Sequence, residues 1–79
     1  MSHTTQDETR YLDAVRLLRS QENHRYFTGS GWTENPSLAQ PFADDAEAIR
    51  ACVSNDLHYV ELVLRDPRNQ TELFSTPMR

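Results

Sequence analysis

The chain has 79 residues, of which 37% are hydrophobic and 9% aromatic, and 8 basic against 12 acidic side chains give a net charge of −4. A chain of this length forms one small domain, residues 1–79, which excludes a multidomain enzyme and a large cofactor fold. No apolar run approaches the ~20 residues of a membrane helix, and no apolar secretion signal opens the chain. We therefore expect a cytoplasmic protein that does not enter a membrane.

All the basic residues are arginine, because the chain contains eight arginines and no lysine. One interpretation is selection for bidentate recognition of anions by guanidinium groups. The arginines are scattered, however, and form no basic stripe of the kind that follows a phosphate backbone. Together with the negative net charge, this pattern favours biased base composition and disfavours binding to nucleic acid, which would then need a local patch of arginines.

The N-terminal pattern predicts a helix over residues 6–21, after a disordered segment at residues 1–5. Thr5 and Glu8 have the spacing of a capping box, in which each side chain accepts from a free amide of the first turn. Three apolar side chains follow at the i, i+4, i+7 spacing of a helix face: Tyr11, Val15 and Leu18. The face is broad enough to cover a sheet or to meet a partner helix.

A short strand, a glycine turn and a single helical turn are predicted next. The strand covers Arg25 to Thr28, and Gly29-Ser30-Gly31 contains both glycines of the chain. Glycine is free to adopt positive φ, so this tripeptide predicts a tight turn or bulge. Residues 35–39 have an asparagine N-cap followed by proline, as a helical turn requires. Phe42 is expected to pack inward.

The second helix has the clearest signals. Asp44 is expected to be its N-cap, with Glu47 three residues later, and the stretch Ser54-Asn55-Asp56 is expected to end it. The apolar side chains assigned to its buried face are Ala46, Ile49, Cys52 and Val53.

A β-hairpin is predicted to complete the chain. Residues 58–65 alternate as a strand, with Val60, Leu62 and Leu64 on one face. A five-residue loop at 66–70 and a return strand at 71–78 follow, and Pro77 marks an edge or an end. The order is α-β-α-β-β, with a β-α-β-β core over residues 25–78. We expect an α+β two-layer sandwich, in which two helices cover a three-stranded, mainly antiparallel sheet.

The residues with chemical potential all have a simpler structural interpretation. Cys52 on the inner side of a helix is expected to behave as a small core hydrophobe, and His58 has no fixed partnership with it. The acids at 44, 45 and 47 suit the start of a helix as well as a metal site. We therefore expect no catalytic residue, no metal site and no cofactor.

The aromatic residues are the best candidates for an interaction surface. Trp32 is expected to fill the core beside Phe42, although an exposed anchor for a partner is the alternative. Adjacent strand residues face opposite sides, so an aromatic pair at 26 and 27 places one ring outward. The candidate interaction surface is Tyr11, Leu17, Tyr26, Phe27, Trp32 and Tyr59.

One stretch resembles a known group of proteins. The pattern Gly31-Trp32-Thr33-x-Asn35-Pro36-x-x-Ala39-x-x-Phe42, with Glu47-Ala48 and the strand over residues 60–64, is similar to that of small bacterial α+β proteins of unknown function. The resemblance covers roughly residues 26–64. It implies an α+β module and no particular activity.

Three functions compete at this point. The first is a non-catalytic interaction or accessory module with a protein partner or a second copy, and we favour it because nothing identifies a small-molecule substrate. The second is a small regulator that acts on nucleic acid or on a nucleic-acid-binding protein. The third is a small enzyme that uses Cys52, or a carboxylate with His58.

Overall fold

The computed structural model describes residues 14–79. The strands of this part are β1 (Val15–Ser20), β2 (Tyr26–Phe27), β3 (Trp32–Thr33), β4 (Val60–Asp66) and β5 (Thr71–Pro77), and the helices are a 3₁₀ turn (Pro36–Leu38) and α1 (Asp45–Ser54). All five strands form one antiparallel sheet in the order β3-β2-β1-β4-β5, and α1 packs on one of its faces. No helix of residues 14–79 has the length and hydrophobicity that crossing a membrane requires.

The central strand β1 is the first correction to the sequence analysis. It pairs with β4 along its whole length, from Val15 opposite Arg65 to Ser20 opposite Val60. Its neighbours Leu17 and Leu18 are both buried, although adjacent strand residues face opposite sides. A strand that is buried on both faces does not alternate between polar and apolar residues. Its adjacent leucines therefore also fit the apolar face of a helix. The helix prediction for residues 6–21 is therefore wrong over β1, and residues 14 and 21 on either side of β1 are not helical either. The remainder of that helix, and the disorder expected at residues 1–5, lie outside the described residues.

The predicted fold class is also wrong. Residues 14–79 contain a five-stranded antiparallel sheet and a single α-helix, rather than a three-stranded sheet covered by two helices. Two strands were missed, β1 and β3. The second has only two residues, paired as Phe27 with Trp32 and Tyr26 with Thr33, and so short a strand carries no periodicity for sequence analysis to detect.

The main core lies between α1 and the sheet. It consists of Leu18, Phe27, Phe42, Ala48, Cys52, Leu57, Val60 and Leu62. The helix was predicted in the right place, and Cys52 of its predicted inner face is buried. The rest of that face is wrong, because Ala46, Ile49 and Val53 are exposed and Ala48 is buried instead. The inner face of the helix thus carries the small side chains of Ala48 and Cys52, which pack in the main core.

The predicted caps are confirmed. Asp44 Oδ1 accepts from the amide of Glu47 at 2.8 Å, and Glu47 Oε1 accepts from the amide of Ala43 at 3.1 Å. In the 3₁₀ turn, Asn35 Oδ1 accepts from the amide of Ser37 at 2.9 Å. Phe42 then packs inward, as expected. The start of α1 and the 3₁₀ turn are therefore both fixed by hydrogen bonds between residues close in sequence.

The β4–β5 hairpin is confirmed: β5 begins at Thr71 as predicted, and the other strand ends lie within two residues of their predicted positions. β4 ends at Asp66, which is buried and accepts hydrogen bonds from Arg68 N at 3.0 Å and Asn69 Nδ2 at 3.2 Å. These bonds fold the chain back into β5. The register shifts between Leu64 and Arg65, which is a bulge, and β5 forms one edge of the sheet.

Candidate functional site

An arginine-centred network lies on the sheet face opposite α1. Arg19 of β1 stands between its two cross-strand neighbours, Glu61 on β4 and Tyr26 on β2. Its Nε donates to Glu61 Oε2 at 2.7 Å, and its Nη1 donates to Glu72 Oε1 on β5 at 2.7 Å. The guanidinium also lies 5.8 Å from the centre of the Tyr26 ring, within cation–π range. One side chain thus connects four strands.

The charges of this network stabilise one another. The hydrogen bonds that Arg19 donates to Glu72 and to Glu61 outweigh its burial and raise the pKa of its guanidinium. The hydrogen bond from Arg19 lowers the pKa of the Glu72 carboxyl below its ordinary value. The guanidinium has its acidic partners within the fold, so this network stabilises the sheet and is no open site for an anion.

Tyr59 is the exposed aromatic residue with the most unusual backbone. It lies immediately before β4 with φ at +56°, in the left-handed region that bulky side chains rarely adopt. Its amide donates to Arg79 O at 3.0 Å, and its carbonyl accepts from the amide of Gln21 at 2.7 Å. These two bonds fix the backbone from both sides. The side chain itself is 63% exposed, so little burial compensates for the strain.

The predicted interaction surface divides into three groups. Leu17 and Phe27 are buried, and Tyr26 is half-buried beneath Arg19. Trp32 and Tyr59 are exposed, while Tyr11 lies outside the described residues. The structure therefore does not bring the five described residues of this set together into one patch.

Trp32 is 40% exposed, so the expectation that it fills the core is wrong. Its ring meets the buried ring of Phe27 at 5.5 Å between centroids and 61° between planes, an edge-to-face contact. β3 is an edge strand two residues long, so one side of the indole has sheet beneath it and the other has solvent. Its position at the edge, which sequence analysis did not place, decides its exposure.

Cys52 and His58 occupy different environments. Cys52 lies in the core, as predicted, where burial raises the pKa of its thiol against a smaller opposing effect of Arg79. His58 Nε2 lies 2.9 Å from Asp56 Oδ1 in an exposed turn. Within residues 14–79, no three His, Cys, Asp or Glu side chains gather as a metal site would require.

Four further apolar residues are exposed although the sequence analysis named none of them as surface residues: Leu38, Ile49, Val53 and Phe74. The two on α1 follow one another at i, i+4, a spacing that indicates a shared face but does not say which face is buried. Knowledge of the sheet order would have been needed to find them.

Comparison of the chain with protein-family models, with curated proteins and with solved structures finds no match.

Proposed function

We propose that this chain is a non-catalytic module that binds a protein partner, with Tyr59 as the central contact. The observation that carries the proposal is the combination of a left-handed backbone and an exposed aromatic side chain at this position. Left-handed geometry costs a residue with a side chain about 1–2 kcal/mol, and glycine would avoid most of that cost. Strain of this kind is typical of positions kept for function.

Trp32 adds a second exposed aromatic side chain of the type that anchors protein interfaces. Its contact with Phe27 holds the indole in one orientation, which reduces the entropy lost on binding. We propose it as a secondary contact for the same class of partner, either another protein or a second copy of this chain.

The alternatives receive less support from the contacts. Arg16, Arg19 and Arg25 are each bonded to an acidic side chain, which reduces the charge offered to nucleic acid. The raised pKa of Cys52 keeps its thiol protonated, which disfavours a nucleophile. We also propose the cytoplasm as the compartment, since its reducing conditions keep a single thiol free.

Site-specific photo-crosslinking in the native cell tests the proposal. A benzophenone amino acid replaces Tyr59 in one variant and exposed Thr71 in a control, at the opposite end of β4. We expect one discrete cross-linked protein species from position 59, of the mass of a dimer or of a complex with another protein. Labelling from position 59 no stronger or more selective than from position 71 would contradict the proposal.

A further inference from the structure

A cavity of about 380 Å³ lies on the sheet face opposite α1. Its volume falls within the ~300–1,000 Å³ typical of small-molecule sites. Val15 and Leu17 of β1 line it, both on the face away from the main core. The cavity lies near Val15, at the start of β1. Tyr59 lies at the opposite end of this strand, where its carbonyl accepts from the amide of Gln21, so the two are separate.

Three prolines from two loops line the cavity. Pro36 belongs to the 3₁₀ turn, Pro41 follows it, and Pro67 comes from the β4–β5 loop. The pyrrolidine ring fixes φ and leaves few conformations open to the chain. The hydrogen bond from Phe42 N to Arg16 O at 2.9 Å then secures the segment beside β1. The walls are therefore largely formed before any ligand arrives.

Arg65 supplies the charge of this cavity. It is half-buried, lines the cavity and stands opposite Val15 on β1 and Glu72 on β5. Glu72, the acidic neighbour in register, is bonded to Arg19 instead, at 2.7 Å and 3.3 Å. Arg65 forms no ion pair with any other residue that the structure describes.

We propose that this cavity binds a small organic carboxylate with an apolar body. The carboxylate would accept two parallel hydrogen bonds from the planar guanidinium of Arg65, the geometry in which arginine binds carboxylates best. The apolar body would lie against Val15, Leu17 and the prolines. The lining is mainly apolar, with Ser37 and Gln70 as its uncharged polar residues. A single guanidinium in such a cavity matches one negative charge better than a phosphate dianion.

Nuclear magnetic resonance titration of the full-length protein tests this assignment with two probes of equal length. Sodium hexanoate carries the charge, and hexanamide is its neutral counterpart. We expect hexanoate to shift the amide signals of Val15 and Leu17 saturably, and hexanamide to bind at least about tenfold more weakly. This comparison uses the unmodified chain, so it does not depend on how a variant folds.

Two variants localise the effect. Arg65→Gln should weaken hexanoate binding about tenfold, whereas Arg50→Gln, an exposed arginine on α1, should leave it unchanged. Three results would each overturn the proposal: no saturable shift with hexanoate, equal binding of hexanamide, or undiminished binding by folded Arg65→Gln protein.

Discussion

Arg19 and Glu72 lie 53 positions apart in the sequence, and two hydrogen bonds of 2.7 Å and 3.3 Å join their side chains across the intervening strand β4. β5 is an edge strand, and this ion pair links it to the central strand β1 through side chains. Glu61 of β4 completes the arrangement from directly opposite Arg19.

Glu72→Gln should lower stability by less than about 1 kcal/mol at neutral pH, since a carboxylate 40% exposed is partly screened by solvent. Arg19 holds the pKa of Glu72 below its ordinary value of 4.5. The ion pair therefore stabilises the fold fully above that value, and its contribution is lost as pH falls through the lower folded pKa.

Urea unfolding of the wild type and Glu72→Gln at several pH values measures this dependence. The free energy of unfolding of the wild type should exceed that of Glu72→Gln by a constant amount around neutral pH, and this difference should shrink below about pH 4. Glu34→Gln is the control, because Glu34 is 83% exposed and 3.7 Å from Arg25. A stability difference for Glu72→Gln that grows on acidification would contradict the account.

Tyr59→Gly should be more stable than Tyr59→Ala by about 1 kcal/mol, because only glycine adopts positive φ without steric cost. Both substitutions remove the same aromatic ring, so the comparison isolates the backbone. Thermal and urea unfolding provide the measurement. At an ordinary strand position, an alanine variant is more stable than a glycine variant. If Tyr59→Ala proved more stable than Tyr59→Gly, the backbone at position 59 would be unstrained.

Gly29→Ala should destabilise the fold by about 1–2 kcal/mol, since Gly29 has φ at +99°. A Cβ there would also stand 2.6 Å from Gln40 Oε1, a flexible side-chain atom that can move away. Gly31→Ala is the matched control, because among residues 14–79 a Cβ there meets only Thr28 Oγ1, at 4.0 Å. Equal unfolding midpoints for the two variants would refute the role of backbone geometry.

Cys52 should react with iodoacetamide at neutral pH at least about tenfold more slowly in the folded protein than in the same chain unfolded in urea. Burial both shields the thiol and raises its pKa, which lowers the thiolate fraction. Mass spectrometry over time gives both rates. Faster labelling in the folded state would reveal an activated thiol and revive the enzyme hypothesis.

Local signals in the sequence predicted the parts of the fold that depend on neighbouring residues. The Asp44 cap, the Asn35 turn and the alternation of β4 each involve contacts within a few positions. β1 was mistaken for a helix because both Leu17 and Leu18 are buried, a pattern that only the two covered faces of a central strand explain.

The candidate surfaces were less accessible to sequence analysis. Tyr59 was named as a contact, but its positive φ arises from bonds to Gln21 and Arg79 that lie far along the chain. The cavity at Arg65 needs loops 36–41 and 67–70 beside the start of β1, and no local pattern specifies that arrangement. Helix amphipathicity likewise predicted α1 but assigned Ile49 and Val53 to its buried side, where the structure has Ala48 beside Cys52.

A competition experiment tests most directly whether the Tyr59 side chain serves a partner and not the fold. Extract of the native cell is supplied with the photo-crosslinking variant at position 59, together with an excess of unlabelled wild type or unlabelled Tyr59→Gly protein. The wild type should suppress the discrete cross-link, whereas Tyr59→Gly, folded and at least as stable as Tyr59→Ala, should not. Equal suppression by the two competitors would contradict the proposal, since the ring would then contribute nothing to binding.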